Sequence, residues 1–164
     1  MLLGMTNLPG TSSILASDPG APHGALLIAI DATWQGQTLA SINVTDQKAT
    51  CWAAYSPRTR SVFVTDPGIN RLVEIDAASR RIVSDLLAPN INPGMIDLVV
   101  PGNFLYALSP GNAGVAAAVA VFYVGGGEGT VRQIQNFEPA GIERFSAQGM
   151  AAFTVGDEAW RSNF

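Results

Sequence analysis

Charge is scarce in this chain. Of its 164 residues only 13% are Asp, Glu, Lys or Arg, against about 25% in an ordinary soluble domain. The nine cations, of which Lys48 is the only lysine, are spread along the chain and outnumbered, leaving a formal charge of −4. A nucleic-acid footprint needs clustered cations to displace phosphate counterions, so no nucleic-acid partner is expected. Cysteine is limited to Cys51, which excludes an internal disulfide and any multi-cysteine zinc site. His23 is the only imidazole, so no His-x-x-His metal pair exists, and no carboxylate cluster replaces it. No metal or other cofactor is expected, although loop Asp side chains and carbonyls could hold Ca²⁺ without a motif. Long apolar runs are missing too: the longest, Val115 to Val124, has 10 residues, about half of a membrane-spanning helix. No membrane partner is expected. Met1-Leu2-Leu3-Gly4-Met5-Thr6 has no cationic stretch and is too short for a signal-peptide core, so no export signal is expected in the chain as it stands.

What the chain does have is apolar residues, 48% of the total, together with 17 Gly and 10 Pro. The first exclude disorder. The second leave few windows in which a helical period could run three turns, so the expectation is all-β.

An internal repeat then organises the sequence. Ser13-Ile14-Leu15-Ala16-Ser17-Asp18-Pro19-Gly20 matches Ser61-Val62-Phe63-Val64-Thr65-Asp66-Pro67-Gly68, and both match Asn103-Phe104-Leu105-Tyr106-Ala107-Leu108-Ser109-Pro110-Gly111. The prolines fall 48 and 43 residues apart, close to the ~40–50 residues of a four-stranded propeller blade. After each Pro-Gly come two more β-rich runs, 26–31 and 37–42, 72–76 and 81–86, then 118–124 and 131–137. A fourth run precedes two of them, at 50–56 and 95–100; its counterpart at 2–8 is broken by Gly4. Each unit therefore reads as four antiparallel strands, A to D. The expected fold is a propeller segment over 1–155, with blades at about 5–46, 47–91 and 92–145, a closing strand at 146–155, and a tail at 156–164.

Three blades do not close a ring of about 4–8. The expectation is that missing N-terminal blades or a second copy of the chain complete it, the remaining option being an open array with exposed edges.

Gln47-Lys48-Ala49-Thr50-Cys51-Trp52, Arg71-Leu72-Val73-Glu74, Pro93-Gly94-Met95-Ile96-Asp97-Leu98, Ser146-Ala147-Gln148-Gly149-Met150 and above all the run from Gly102 to Asn112 resemble the C-terminal part of fungal 3-carboxymuconate cyclase-like proteins. Those are seven-bladed lactonase-type propellers, often exported. The resemblance implies missing N-terminal blades and a small carboxylate or lactone ligand, handled by lactonising isomerase or lactonase chemistry. The other reading is a non-catalytic secreted or surface propeller that binds protein or carbohydrate.

In a propeller the D-to-A and B-to-C connections share one face, where ligands bind. Asp66 and Arg71 are the most suggestive pair there: a carboxylate can move a proton and a guanidinium can hold a substrate carboxylate. The alternative is that Asp66, like Asp18, caps a Pro-Gly turn. His23 is the other candidate for proton transfer, or else a solvated loop residue. Lys48, Asn112 and Gln148 complete the expected ligand-binding set with Arg71. Cys51 is expected to be a packed thiol. Gly125-Gly126-Gly127-Glu128-Gly129-Thr130 lacks the lysine and following helix of a phosphate loop and reads as a C-to-D hairpin turn. The aromatics, Trp34 among them, are expected mostly between blades.

Overall fold

The computed structural model describes residues 1–20, 22–142 and 144–152. Among these residues twelve strands form three antiparallel sheets of four. Blade 1 comprises β1 (Met5–Leu8), β2 (Ser13–Ser17), β3 (Ala25–Ile30) and β4 (Gly36–Ile42). Blade 2 comprises β5 (Ala53–Ser56), β6 (Ser61–Asp66), β7 (Arg71–Asp76) and β8 (Ile82–Leu87). Blade 3 comprises β9 (Asp97–Val99), β10 (Phe104–Ser109), β11 (Ala118–Tyr123) and β12 (Arg132–Phe137). Each sheet is a simple meander, so neighbours in sequence are neighbours in space. The only helical element among the described residues is a single 3-10 turn, Pro67–Ile69. The chain is a partial β-propeller.

Side chains alternate across each strand, and the register sorts them into two faces. Val62, Val64, Val73 and Ile75 of blade 2 pack with Leu8, Leu15, Ala25 and Leu27 of blade 1. Their cross-strand pairing, Val62 with Ile75 and Val64 with Val73, recurs as Leu105 with Phe122 and Ala107 with Ala120 in blade 3. That second set packs against Phe63 and Leu72 of blade 2. Blade 2 is therefore covered on both sides, and every residue of β6 is buried. A fully buried Phe63 or Phe122 contributes roughly 1.5–3 kcal/mol of transfer free energy.

The same position in blade 1 is held by Ile14 paired with Ile28 and Ala16 with Leu26. Their face meets no blade in the described chain, and Ile14, Leu26 and Ile28 are only half-buried. The opposite end of the array leaves Tyr106 and Val119 half-buried beside an exposed Phe137.

Each C-to-D pairing also carries an irregularity at the same register, between Leu27 and Ile28, Glu74 and Ile75, and Val121 and Phe122. A bulge there increases the twist of the outermost strand in every blade. The A strands lie closest together. A Cβ on Gly4 would stand 2.4 Å from Trp52 Cα, so the poor strand former that interrupts 2–8 is what lets β1 approach β5.

Two expectations change. The described part of the expected closing strand, 146–152, forms no sheet pairing, although the Met150 N–H donates to Asp97 Oδ2 at 2.7 Å; the rest of it, 153–155, and the tail 156–164 lie outside the described residues. Trp34 is not between blades: it sits in the β3–β4 turn with 85% of its surface exposed.

Candidate functional site

The B-to-C and D-to-A connections do meet on one face, and Asp66 is their junction in blade 2. It ends β6 opposite Arg71, the first residue of β7. Its carboxylate is fully buried. Oδ2 accepts from the Lys48 backbone N–H at 3.0 Å and Oδ1 from the Ala49 N–H at 2.8 Å. Arg71 Nη2 donates to Oδ2 at 3.0 Å. Asp66 therefore pins the segment that enters blade 2 rather than turning back on its own Pro-Gly.

Arg71 is equally committed. Nη1 donates to the Thr45 carbonyl at 3.0 Å and to Asp85 Oδ2 at 3.1 Å, while Nε is buried without a hydrogen-bond partner. Asp85 was not anticipated from the sequence. Arg71 pairs with Leu87 across the β7–β8 ladder, and Asp85 is reached diagonally, a neighbour visible only once the register is known.

The remaining expected residues are dispersed around the face. The Lys48 side chain is exposed, although its backbone N–H is bound. His23 is half-buried in the blade 1 loop, its N–H donating to the Gly20 carbonyl at 3.1 Å. In blade 1 Asp18 does cap its turn, accepting from the Gly20 N–H at 3.0 Å. Asn112 Oδ1 accepts from the Gly114 and Val115 N–H groups at 2.9 and 3.0 Å, closing an Asx turn. Gln148 is exposed, with Nε2 donating to the Phe145 carbonyl. No hydrogen bond or ion pair links these four side chains to the Asp66–Arg71 pair.

Nearer the axis, the Cys51 thiol lies 3.5 Å from the Ile96 carbonyl. Burial pushes its pKa up, and the nearby Asp97 carboxylate adds to the effect. It is a protonated, packed thiol rather than an activated nucleophile. Among the described residues, no three His, Cys, Asp or Glu side chains gather as a metal-binding set.

A polar seam joins blades 2 and 3 on the same face. Asn70 Nδ2 donates to Asn90 Oδ1 at 2.8 Å, Asn90 Nδ2 to Gln133 Oε1 at 2.8 Å, and Asn92 Nδ2 to Asn136 Oδ1 at 2.9 Å. These amides hold neighbouring loops in register.

No family model matches the chain, and no curated protein matches it in sequence. Solved structures do match. One is a chain of a nidogen/laminin complex, with a TM-score of 0.57 and 15% identity, covering 82% of this chain and 48% of that one. Another is the Kuenenia stuttgartiensis hydrazine synthase, with a TM-score of 0.60 and 15% identity, covering 82% of this chain and 38% of that one. At such identities the likeness establishes the propeller-like fold alone. The chain spans less than half the length of either match.

Proposed function

We propose that this chain is a sector of a β-propeller ring that binds a protein or carbohydrate ligand on its loop face without chemically converting it. What supports this reading is the Asp66–Arg71 pair. Both carboxylate oxygens and both terminal guanidinium nitrogens already bond Lys48, Ala49, Thr45, Asp85 or each other, and Arg71 Nε, though unpaired, is buried. A catalytic carboxylate needs an oxygen exposed to the group whose proton it moves, and a guanidinium clamp needs an edge its ligand can reach, whereas the Asp66 and Arg71 side chains are 0% and 6% exposed. A ligand screen by thermal shift tests the reading. Glycans or protein partners raising the melting temperature are the expected result, since a ligand bound only by the folded state at about 100 Kd adds about 2.7 kcal/mol.

The second reading is lactonising or lactonase chemistry of the fungal 3-carboxymuconate cyclase-like kind, on a small carboxylated substrate. The observation in its favour is that Lys48 is exposed and His23 half-exposed on the loop face, a cation and an imidazole within one set of connections. Turnover of a 3-carboxymuconate, followed in the ultraviolet and lost in His23→Ala, would replace the first reading with this one.

In both readings further blades complete the ring by covering the Ile14, Leu26 and Ile28 face and the Tyr106 and Val119 face. They come either from a longer polypeptide or from a second copy. Light scattering tests the second copy: twice 17.2 kDa identifies it as the source of the further blades, and a mass of 17.2 kDa excludes it.

A further inference from the structure

The A-to-B and C-to-D turns share the rim opposite the loop face. At the junction of blades 2 and 3 they enclose a polar cluster that the fold does not require. Glu74 is its centre. The side chain is fully buried on the face that blade 2 turns to blade 3, at a register position held by Leu27 in blade 1 and Val121 in blade 3. An apolar residue fills that place in the other two blades, so packing alone does not demand a carboxylate there.

Two oxygen atoms of the cluster are buried and bonded to nothing. Glu74 Oε2 accepts from the Gly129 N–H at 3.0 Å, but Oε1 has no hydrogen-bond partner. Thr59, in the β5–β6 turn, is 4% exposed, and its Oγ1 has none either. The Ser61 hydroxyl joins the two residues, lying 3.3 Å from the Thr59 carbonyl and bonding the Glu74 carboxylate. A buried polar group left unpaired costs about 1–3 kcal/mol, and a cation shared by these oxygens offsets that cost.

The hairpin that covers the cluster differs from its counterparts. The β11–β12 connection has eight residues, 124–131, against five in 31–35 and 77–81, and it reaches back onto blade 2. Arg58 Nε and Nη2 both donate to the Gly125 carbonyl at 3.2 Å, which occupies that guanidinium at the start of the hairpin. The Gly129 N–H fixes the other end on Glu74. Gly127 and Gly129 are left-handed, at φ 101° and 74°, a path that glycine follows without strain. Glu128 stands between them with its side chain exposed. Burial raises the Glu74 pKa, and the Glu128 charge adds to the effect, so the two carboxylates lie close enough to repel. Among the described residues neither forms an ion pair.

We propose that this junction binds a calcium ion, with Glu74 Oε1, the Glu128 carboxylate, Thr59 Oγ1 and Ser61 Oγ as ligands, and hairpin carbonyls and water completing the shell. All of these are hard oxygen donors, and Ca²⁺ takes about 6–8 of them in flexible geometry. Two carboxylates balance its charge. Mg²⁺ demands a near-ideal octahedron and gives up its water reluctantly, while structural zinc favours the nitrogen and sulfur that the cluster lacks. Only two of the ligands are acidic, which is why no set of three ionisable side chains marks the site. The ion ties strand C and the A-to-B turn of blade 2 to the C-to-D hairpin of blade 3. The site shares no residue with the Asp66–Arg71 pair, so the loop-face reading and this one stand or fall separately.

The test is titration calorimetry on the intact, chelator-treated chain with calcium or magnesium chloride, beside melting curves. One Ca²⁺ per chain is expected to bind with a Kd of about 10⁻⁴–10⁻³ M, the range of extracellular calcium modules, and to raise Tm. Glu74→Gln and Glu128→Gln are each expected to weaken that binding about tenfold or more, a difference of about 1.4 kcal/mol, and Mg²⁺ is expected to bind the parent chain about tenfold more weakly than Ca²⁺. Asp31→Asn, which neutralises an exposed carboxylate in the equivalent turn of blade 1, is expected to leave Ca²⁺ binding unchanged. Glu128→Gln alters only an exposed side chain, so it carries the test even where Glu74→Gln fails to fold. Absence of saturable Ca²⁺ binding in that range, Mg²⁺ binding as tight as Ca²⁺, or an affinity that Glu128→Gln leaves unaltered overturns the proposal.

Discussion

Asp66 and Ser109 hold the same place in consecutive blades, and the backbone facing each has changed with the side chain. Both end strand B before a proline. Lys48 and Ala49 offer N–H groups to Asp66; at the register-equivalent positions of blade 3 stand Pro93 and Gly94, and proline has no N–H to give. The Ser109 hydroxyl is buried with no hydrogen-bond partner. A carboxylate at 109 would be buried short of donors, so Ser109→Asp is expected to destabilise the chain at neutral pH and to recover in acid as the group protonates. Urea midpoints at two pH values measure it.

Removing the other member of the comparison acts through charge. Asp66→Ala leaves Arg71 buried, with Asp85 at the protein surface as its remaining anion. Breaking a buried pair typically costs about 3–5 kcal/mol, and that is the loss expected in chemical denaturation. Lys48→Ala, which removes only an exposed side chain, is expected to stay within about 0.5 kcal/mol of the parent.

Glu74 supplies the pH dependence. It is fully buried facing blade 3, at a position held by Leu27 and Val121 in the other blades. Burial pushes its pKa up. The Ser61 hydroxyl and the Gly129 N–H pull the other way without reversing the shift. The folded state therefore holds this proton more tightly than the unfolded chain. Stability is expected to fall as pH rises from the usual glutamate value to the raised one, and then to level off. Asp31 and Asp76 act in the opposite sense and at lower pH. Hydrogen bonds from Gln35 and Ser79 depress their pKa values, so their contribution is lost as pH drops below the usual aspartate value. Glu74→Gln is expected to flatten the upper decline and leave the acid limb unchanged, as read from melting temperatures across that range.

The two inter-blade faces give a paired comparison. Ile75 and Ile28 occupy equivalent register positions, one fully buried against blade 1 and the other half-buried on an uncovered face. Ile75→Ala is expected to cost about 2–5 kcal/mol. Ile28→Ala should cost clearly less in the isolated chain. Equal losses would mean that the blade 1 face is covered in solution, and the protein concentration dependence of the Ile28→Ala midpoint would show whether a second copy covers it.

Trp34→Gly isolates the cost of a left-handed backbone in the β3–β4 turn. Glycine adopts a φ of 63° without the Cβ clash, so the variant is expected to gain up to about 1 kcal/mol in stability, as read from urea midpoints.

The strand plan was legible because it rests on local chemistry. Alternating apolar residues between Pro-Gly corners mark strands B and C in all three units, and the structure begins and ends them within a residue or two of the sequence runs. The weak run at 2–8 became β1 because Gly4 meets β5 and not because its residues favour a strand. The bulges were not legible. They depend on how much each outer strand must twist, and no residue type marks them.

Of the candidate site, the sequence located the loop face and named Asp66 and Arg71, but not what they do there. Asp18 and Asp66 sit in the same Asp-Pro-Gly context, yet one binds its own turn and the other a segment 17 to 18 residues away. Asp85 and Asp97 gave no signal, since each earns its contact only when a register or a later segment brings a partner to it. Trp34 was placed between blades together with the aromatics of the strand runs, whereas it lies in a turn.

The sequence by itself determined that this chain would be β-structure in three like modules, because side-chain alternation and turn chemistry act between residues close along the chain. Only the tertiary structure decided which carboxylates are consumed and which face water. Burial and pairing are set by what the neighbouring blade presents, and that neighbour lies tens of residues away.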